Sequence, residues 1–180
     1  MKQARLQETF LRGKQVFDGR LLQVHRDVVA LSDGHEEVRE IMRHPGASVI
    51  IPDLGDGRLV LVRQFRYALD RETLEFPAGR LDPGEDPETC AKRELAEETG
   101  YQAGKLDFLL KIHPAPGYTD ELIYIYRASE MTAGKAHPDS DEELFTVEIT
   151  VDELVEKLQQ GILTDSKTIN ALLYYRCFIG

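Results

Sequence analysis

The sequence predicts an α+β fold in which a few helices pack on a mixed β-sheet. Three observations lead to this class. Strand-like runs outnumber helical segments, the helices are inserted between those runs, and the chain shows neither an internal repeat nor a low-complexity segment. The length of 180 residues fits one domain of ordinary size, or one domain with a small appendage.

The first part of the chain is predicted to form a small antiparallel sheet. Asp33-Gly34 is a turn signal that joins the second and third strand-like runs into a hairpin. The break at His44-Pro45-Gly46 separates this sheet, residues 1–45, from a larger domain of residues 46–180. A sheet of this size is marginal by itself, so we expect it to need a partner. The three runs span roughly residues 7–17, 21–31 and 36–44.

The larger domain is predicted to alternate strands and helices. The runs ASVIIP and RLVLVRQF, joined by the turn residues LGDG, predict a second hairpin, and TLEFPAG predicts a further short strand. Asp86 as N-cap, Pro87 in the first turn and Gly100 after the last turn predict a helix. The remaining predicted elements are strands near 106–112, 121–128 and 144–149 and helices near 151–160 and 166–177.

Composition and charge restrict the class of protein. The formal net charge of −10 argues against nonspecific nucleic-acid binding, which needs basic patches. Apolar residues make up 42% of the chain, enough for a core, yet no uninterrupted apolar run approaches the length of a membrane span. The N-terminus lacks the apolar run of a secretory signal, and Cys90 and Cys177 have no metal-ligand spacing. We therefore expect Cys90 to be a small buried thiol and the protein to be cytoplasmic.

Three glutamates project from one face of the helix predicted after Asp86. Glu94, Glu97 and Glu98 follow the spacing i, i+3 and i+4. Like charges at this spacing destabilise a bare helix, whereas a hard divalent cation would turn them into a metal site. The alternative is a solvated acidic helix face. Arg93, one turn before Glu97, is able to brace a ligand carboxylate by a charge-assisted hydrogen bond.

A set of fixed offsets extends this pattern on both sides of the three glutamates. The set consists of Gly79, Glu85, Arg93, Glu94, Leu95, Glu97, Glu98 and Gly100. Together these residues resemble the signature of the Nudix hydrolase family, with Tyr101 where an aliphatic residue is usual. The resemblance implies an α/β/α sandwich (the Nudix fold) and hydrolysis of nucleoside diphosphates linked to another moiety. It also implies that Glu94 and Glu98 are the main metal ligands, joined by Glu97 and the backbone carbonyl of Ala78.

Segments outside the signature resemble the ADP-ribose pyrophosphatase branch of this family. They are REIMRHPGA, LVRQFRYAL, LEFPAGRLDPGE and HPAPGYTDE. Pro116, which lies 16 residues beyond Gly100, matches the marker of the branch and would shape the substrate pocket. ADP-ribose is therefore the expected substrate, with GDP-mannose, NADH or a flavin dinucleotide as alternatives. A non-catalytic module that senses a nucleotide is a further alternative, although no signature carboxylate is missing.

The branch resemblance also assigns substrate-binding residues, most of them with an alternative. Arg66, the better match, and Arg63 would place positive charge on the phosphates or the terminal ribose. Arg63 is alternatively an exposed strand residue, and Arg39, expected near the cleft, is alternatively a surface strand cation. Glu121 would accept hydrogen bonds from ribose hydroxyls, or is a strand-start carboxylate. Phe17 would stack on adenine, or is a buried core residue.

The resemblance implies a metal-dependent mechanism and a dimer. About two or three Mg²⁺ ions, with Mn²⁺ as an alternative, would neutralise the diphosphate and lower the pKa of a bound water. Attack of that hydroxide would release AMP and ribose 5-phosphate, with Arg93 and Glu98 in the catalytic set. The branch places the base on a loop near residues 139–143, where we choose Glu142 as base and Glu143 as a further metal contact. A solvated charge run is the alternative for this loop. Because the N-terminal strands of the branch pack against a second subunit, a homodimer is predicted.

Overall fold

The computed structural model describes residues 6–137 and 143–180, which separate into two compact units. The first unit contains the described residues up to Pro45 together with Ala115–Leu122. The second unit contains Gly46–Pro114 and the described residues from Ile123 onwards. In the part of the chain that the structure describes, no helix is long and apolar enough to cross a membrane.

The first unit is built on a three-stranded antiparallel sheet. Its strands are β1 (Thr9–Asp18), β2 (Gln23–Ala30) and β3 (Glu36–Arg43), in the order β1-β2-β3. The N–H of Leu31 donates to the carbonyl of His35 at 2.8 Å, and Gly34 adopts a φ of +90°. The three predicted runs and the predicted hairpin are therefore confirmed, with strand ends shifted by one or two residues.

The loop Ala115–Leu122 belongs to this unit, although the sequence placed it in the larger domain. The N–H of Met42 donates to the carbonyl of Tyr118 at 2.7 Å. Asp120 accepts a hydrogen bond from the backbone N–H of His44 at 2.9 Å and another from Arg43 at 3.0 Å. These contacts join positions 76 or 77 residues apart, so sequence periodicity contains no signal for them.

The described residues of the second unit form a mixed four-stranded sheet, a three-stranded sheet and three helices. The four-stranded sheet has the order β7-β4-β10-β9, with β4 and β10 parallel, and the three-stranded sheet has the order β12-β5-β6. A short pair joins β11 to β8. The elements are β4 (Ala47–Pro52), β5 (Arg58–Arg66), a 3₁₀ turn (Tyr67–Leu69), β6 (Arg71–Glu75), β7 (Ala78–Arg80), α1 (Pro87–Thr99), β8 (Tyr101–Gln102), β9 (Lys105–Ile112), β10 (Ile123–Ser129), β11 (Thr132–Ala133), β12 (Leu144–Thr150), α2 (Val151–Gln159) and α3 (Ser166–Phe178).

Two sequence predictions for this unit are corrected by the sheet topology. The predicted hairpin of β4 and β5 is wrong, because the two strands lie in different sheets and share one isolated bridge, Asp53 to Leu59. Both edges of β4 are instead occupied by β7 and β10. The single strand predicted for TLEFPAG is two strands, since Phe76-Pro77 carries the chain from the sheet of β6 to the sheet of β7. Proline lacks the N–H that would continue a ladder.

Helices cover both faces of the four-stranded sheet, which confirms the predicted α/β/α sandwich. On β4, the fully buried Ile50 packs in a cluster with Ala91 and Leu95 of α1. Its neighbours point the other way, into a larger core that includes residues of α2 and α3. Successive side chains of β4 therefore pack into two different apolar layers, as expected for a strand buried on both faces. The members of the larger core on these elements are Val49, Ile51, Leu154, Ala171, Leu172 and Tyr175.

Local sequence signals account for α1, the helix that carries the signature glutamates. The carboxylate of Asp86 accepts hydrogen bonds from the N–H groups of Glu88 and Thr89, both at 3.1 Å. Pro87 occupies the first turn, and Gly100 ends the helix in the left-handed conformation at a φ of 77°. Such a cap contributes about 1 kcal/mol. The predicted bounds of this helix are confirmed.

Candidate active site

The loop before α1 lies directly against a carboxylate of that helix. Gly79 pairs with Ser48 in the ladder between β7 and β4, which holds the loop backbone in place. A Cβ atom added to Gly79 would lie 1.8 Å from Oε1 of Glu94. Any other residue at this position would force the Glu94 side chain to move, which gives the first position of the signature a steric explanation.

Arg93 binds the carboxylates of three signature glutamates. Its Nε and Nη2 donate to the two oxygens of Glu85, both at 2.9 Å. Its Nη1 donates to Glu94 at 2.6 Å and to Glu97 at 3.0 Å. These hydrogen bonds lower the pKa of Glu85 to about 2 and raise the pKa of Arg93. The sequence predicted that Arg93 braces a carboxylate, and the structure extends this to three.

Glu98 is the most deeply buried of the helix glutamates, with 2% of its surface exposed. Its Oε2 accepts a hydrogen bond from the backbone N–H of Ala78 at 3.2 Å. A buried carboxylate is costly unless hydrogen bonds or cations compensate its charge. The peptide of Ala78, whose carbonyl was predicted as a metal ligand, is therefore anchored to the same helix as the predicted carboxylate ligands.

The signature glutamates and the backbone of Ala78 supply oxygen atoms that a hard cation could bind. In this structure three of the glutamates instead contact Arg93. Within residues 6–137 and 143–180, no group of three acidic, histidine or cysteine side chains converges on a common metal position. Glu94 is 8% exposed, whereas 38% of the side chain of Glu97 is exposed and open to a ligand. Carboxylate and carbonyl oxygens are the donor types that Mg²⁺ prefers, so the residues fit this ion by chemistry.

Arg66 lies in a second polar cluster of the same unit. Its Nε and Nη2 donate to the two oxygens of Glu75 at 2.8 and 2.7 Å, and 44% of its side chain is exposed. Lys167, at the start of α3, also donates to Glu75. Sequence reasoning missed Glu75 and Lys167, because no fixed spacing connects residues 92 positions apart.

Arg63, the other predicted phosphate ligand, lies on the exposed face of β5. Half of its side chain is exposed, its Nη1 is 3.6 Å from Glu72, and its guanidinium lies 5.6 Å from the ring centroid of Phe145. Arg63 is thus an exposed strand residue, as the alternative prediction stated. Its role in substrate binding stays a prediction.

The first unit contains the other predicted substrate residues. Arg39 donates to both oxygens of Glu8, at 3.0 and 2.6 Å, and lines a cavity together with Pro116. Glu121 lies with its Oε1 3.9 Å from Nε2 of His44. Phe17 is 55% exposed on β1, so the alternative of a buried core residue is wrong.

The acidic segment lies largely outside the described residues, including Glu142, the chosen base. Glu143 is described and exposed. The segment that leads into this loop is held on α1, because the N–H of His137 donates to the carbonyl of Glu97 at 2.9 Å. Close packing at Gly100 supports the same path, since an added Cβ there would lie 2.6 Å from the backbone nitrogen of Ala136.

The loop and helix define a class of protein that presents clustered carboxylates beside a glycine-bearing backbone loop. A family model described as the NUDIX domain matches residues 42–172. This chain therefore belongs to the Nudix family, and the resemblance seen in residues 79–101 is confirmed.

Individual relatives agree with this assignment. The chain is 37% identical to the methanol dehydrogenase activator of Bacillus methanolicus, over 93% of this chain and 92% of the relative. It is 35% identical to the ADP-ribose pyrophosphatase of Bacillus subtilis, over 94% and 92% respectively. A crystal structure of an ADP compounds hydrolase superposes with a TM-score of 0.87 at 29% identity, covering 98% of this chain and 95% of that one.

Proposed function

We propose that this chain hydrolyses the pyrophosphate bond of ADP-ribose, with release of AMP and ribose 5-phosphate. The observation that carries the proposal is the pair of buried carboxylates, Glu94 and Glu98, packed against the loop of Ala78 and Gly79. The similarity to an ADP-ribose pyrophosphatase and to an ADP compounds hydrolase supports the choice of substrate.

The metal would be held by Glu94, Glu97, Glu98 and the carbonyl of Ala78, with Glu143 as a further contact. About two or three Mg²⁺ ions, or Mn²⁺ as an alternative, would supply charge neutralisation and a bound water of lowered pKa. Arg93 contributes by binding the carboxylates in the absence of cation, so that their repulsion does not open the helix.

The substrate would be bound by the residues that the sequence resemblance implies. Arg66 and Arg63 would provide positive charge for the diphosphate, and Glu142 would accept the proton of the attacking water. The hydrogen bond from the N–H of His137 to the carbonyl of Glu97 supports the choice of Glu142 as base, because it holds the chain just before the acidic segment on α1. Arg39, Phe17, Pro116 and Glu121 are the further substrate-binding residues that the resemblance implies.

The test is product analysis with ADP-ribose and Mg²⁺ for the wild type and for Glu98→Gln. The substitution keeps the shape of the side chain and removes the charge. We expect the rate to fall by about 1,000-fold or more, as for the loss of a central electrostatic element. Glu88→Gln, on the exposed face of the same helix, is the matched control and should leave the rate unchanged.

Inactivity of the wild type toward ADP-ribose would overturn the proposal, and so would a Glu98→Gln variant of full activity. A second candidate substrate is GDP-mannose, since a relative from Cronobacter sakazakii named GDP-mannose pyrophosphatase is 33% identical over 72% of this chain. Assays should therefore compare kcat/KM for ADP-ribose, GDP-mannose, NADH and a flavin dinucleotide. A higher value for any of the other three would reassign the substrate.

We also propose a homodimer formed through the N-terminal sheet. The supporting observation is the exposed apolar surface of the first unit, which includes Phe10, Val16, Leu22 and Val38. Light scattering of the full chain is expected to give twice the monomer mass, and Phe10→Glu with Val16→Glu to give a monomer. A monomeric wild type would contradict the proposal.

A further inference from the structure

The buried carboxylate of Glu75 accepts hydrogen bonds from side chains of three separate elements. Only 2% of its surface is exposed. Arg66 at the end of β5 contacts both of its oxygens, and Thr73 of β6 donates to Oε1 at 2.7 Å. Lys167 of α3 donates to Oε2. Burial alone would raise the pKa of Glu75, but the hydrogen bonds from Arg66 and the charge of Lys167 lower it to about 2.

The geometry leaves Arg66 oriented but accessible. A bidentate pair fixes the plane of a guanidinium as well as its position. Nearly half of the Arg66 side chain remains exposed, at 44%, whereas Lys167 is only 16% exposed. Lys167 also lies 3.0 Å from Asp165, so its charge is shared between two carboxylates. Arg66 is therefore the residue of this cluster that is able to meet a ligand.

The same cluster is continuous with the signature loop. Directly after Glu75, the N–H of Phe76 donates to the hydroxyl of Thr168 at 2.9 Å. Two residues further on, the N–H of Ala78 donates to Glu98. The hydrogen bonds to Glu75 raise the pKa of Arg66, and burial opposes this shift. The negative charge of Glu98 also raises the pKa of Arg66, so the guanidinium lies within electrostatic reach of α1. The start of α3 thus holds the link between β6 and β7, which leads to the candidate metal site.

We propose, on the basis of the proposed function, that Lys167 and Glu75 are positioning residues that orient Arg66 for the diphosphate of the substrate. Glu75 fixes the direction of the guanidinium. Lys167 offsets part of the charge of Glu75, so that the positive field of Arg66 stays available to phosphate oxygens. Neither residue needs to touch the substrate.

Electrostatics distinguishes this role from a purely structural salt bridge. If Lys167 only stabilised the fold, its loss would lower activity equally with or without Arg66. If it acts through Arg66, its loss matters only while the guanidinium is present, and it affects the binding of an anionic substrate more than turnover. A double-mutant cycle separates these two cases.

The experiment measures KM and kcat for ADP-ribose in Lys167→Met, Arg66→Met and the double variant. We expect Lys167→Met to raise KM about 10-fold, with kcat changed by less than about threefold, because ground-state and transition-state binding are lost together. In the Arg66→Met background, the same change should alter kcat/KM by less than about twofold. Lys105→Met, which removes an exposed ion pair with Asp107, is the matched control and should match the wild type.

Each outcome decides the question. An inactive wild type overturns the proposed function and this inference together. An active wild type with equal effects of Lys167→Met in both backgrounds overturns the positioning role alone. Urea unfolding verifies that the variants are folded. If Lys167→Met does not fold, Lys167→Gln, which keeps a donor for Glu75 but removes the charge, takes its place in the cycle.

Discussion

Two charged clusters of the second unit have opposite composition. Around Arg93, one guanidinium is shared by three carboxylates, those of Glu85, Glu94 and Glu97. Around Glu75, one carboxylate receives Arg66, Lys167 and a threonine hydroxyl. The first cluster concentrates negative charge in a form that a divalent cation would relieve. The second concentrates donors on a single acid and leaves an oriented arginine exposed.

Under the proposed function, the two clusters would suit the two halves of a metal–diphosphate complex. Carboxylates gathered on a helix suit the cation, and an arginine held by a buried acid suits the phosphates. The clusters also differ in origin. The Arg93 cluster comes from one loop and one helix, whereas the Glu75 cluster joins β5, β6 and α3.

The pH dependence of stability in Glu75→Gln is the strongest test of the difference between the two clusters. The pKa of Glu75 falls from 4.5 to about 2 on folding. A lowered pKa stabilises the folded state above the unfolded pKa, and this stabilisation is lost as the pH falls from about 5 toward 2. We expect Glu75→Gln to lower the free energy of unfolding by on the order of 3 kcal/mol at pH 7.

Urea unfolding at several pH values between 7 and 3 measures this effect. The difference between the wild type and Glu75→Gln should shrink as the pH falls. Glu88→Gln, in which an exposed carboxylate loses its charge, is the matched control, and its effect on the free energy of unfolding at pH 7 should be much smaller. A constant difference across the range would show that the carboxylate charge is not what stabilises this cluster.

A smaller effect, on activity rather than stability, is expected for Gly79→Ala. The new Cβ would lie 1.8 Å from the carboxylate of Glu94, which is the end of a flexible side chain. The side chain is able to rotate away, so the fold should tolerate the change while a predicted metal ligand is displaced. We expect kcat to fall about 10-fold to 100-fold, equivalent to about 1.4 to 2.7 kcal/mol.

Gly57→Ala is a control that should lower stability and leave activity unchanged. Gly57 has a φ of +87° and open space around its Cβ position. Alanine there should cost about 1 kcal/mol of stability, because of backbone strain, without a change in kcat. If Gly79→Ala also lost stability and kept its activity, the contact with Glu94 would have no functional importance.

Short-range sequence signals accounted for most elements of the fold. The cap at Asp86, the glycine after α1 and the turn at Asp33-Gly34 each act within a few residues, and all three predictions are confirmed. The hairpin predicted for β4 and β5 failed because strand pairing is decided by competition among distant strands. In this case β10, more than 70 residues away in the chain, occupies the edge of β4.

By itself, the sequence determined the signature loop and helix, since helical geometry alone brings Glu94 and Glu98 to one face. It also predicted the family from fixed offsets. Only the tertiary structure decided that Arg93 serves three carboxylates and that Arg66 is held by Glu75 and Lys167. The physical reason is range: helix periodicity and capping act over a few residues, whereas a buried carboxylate takes its partners from whichever segments the packed core brings within hydrogen-bond distance.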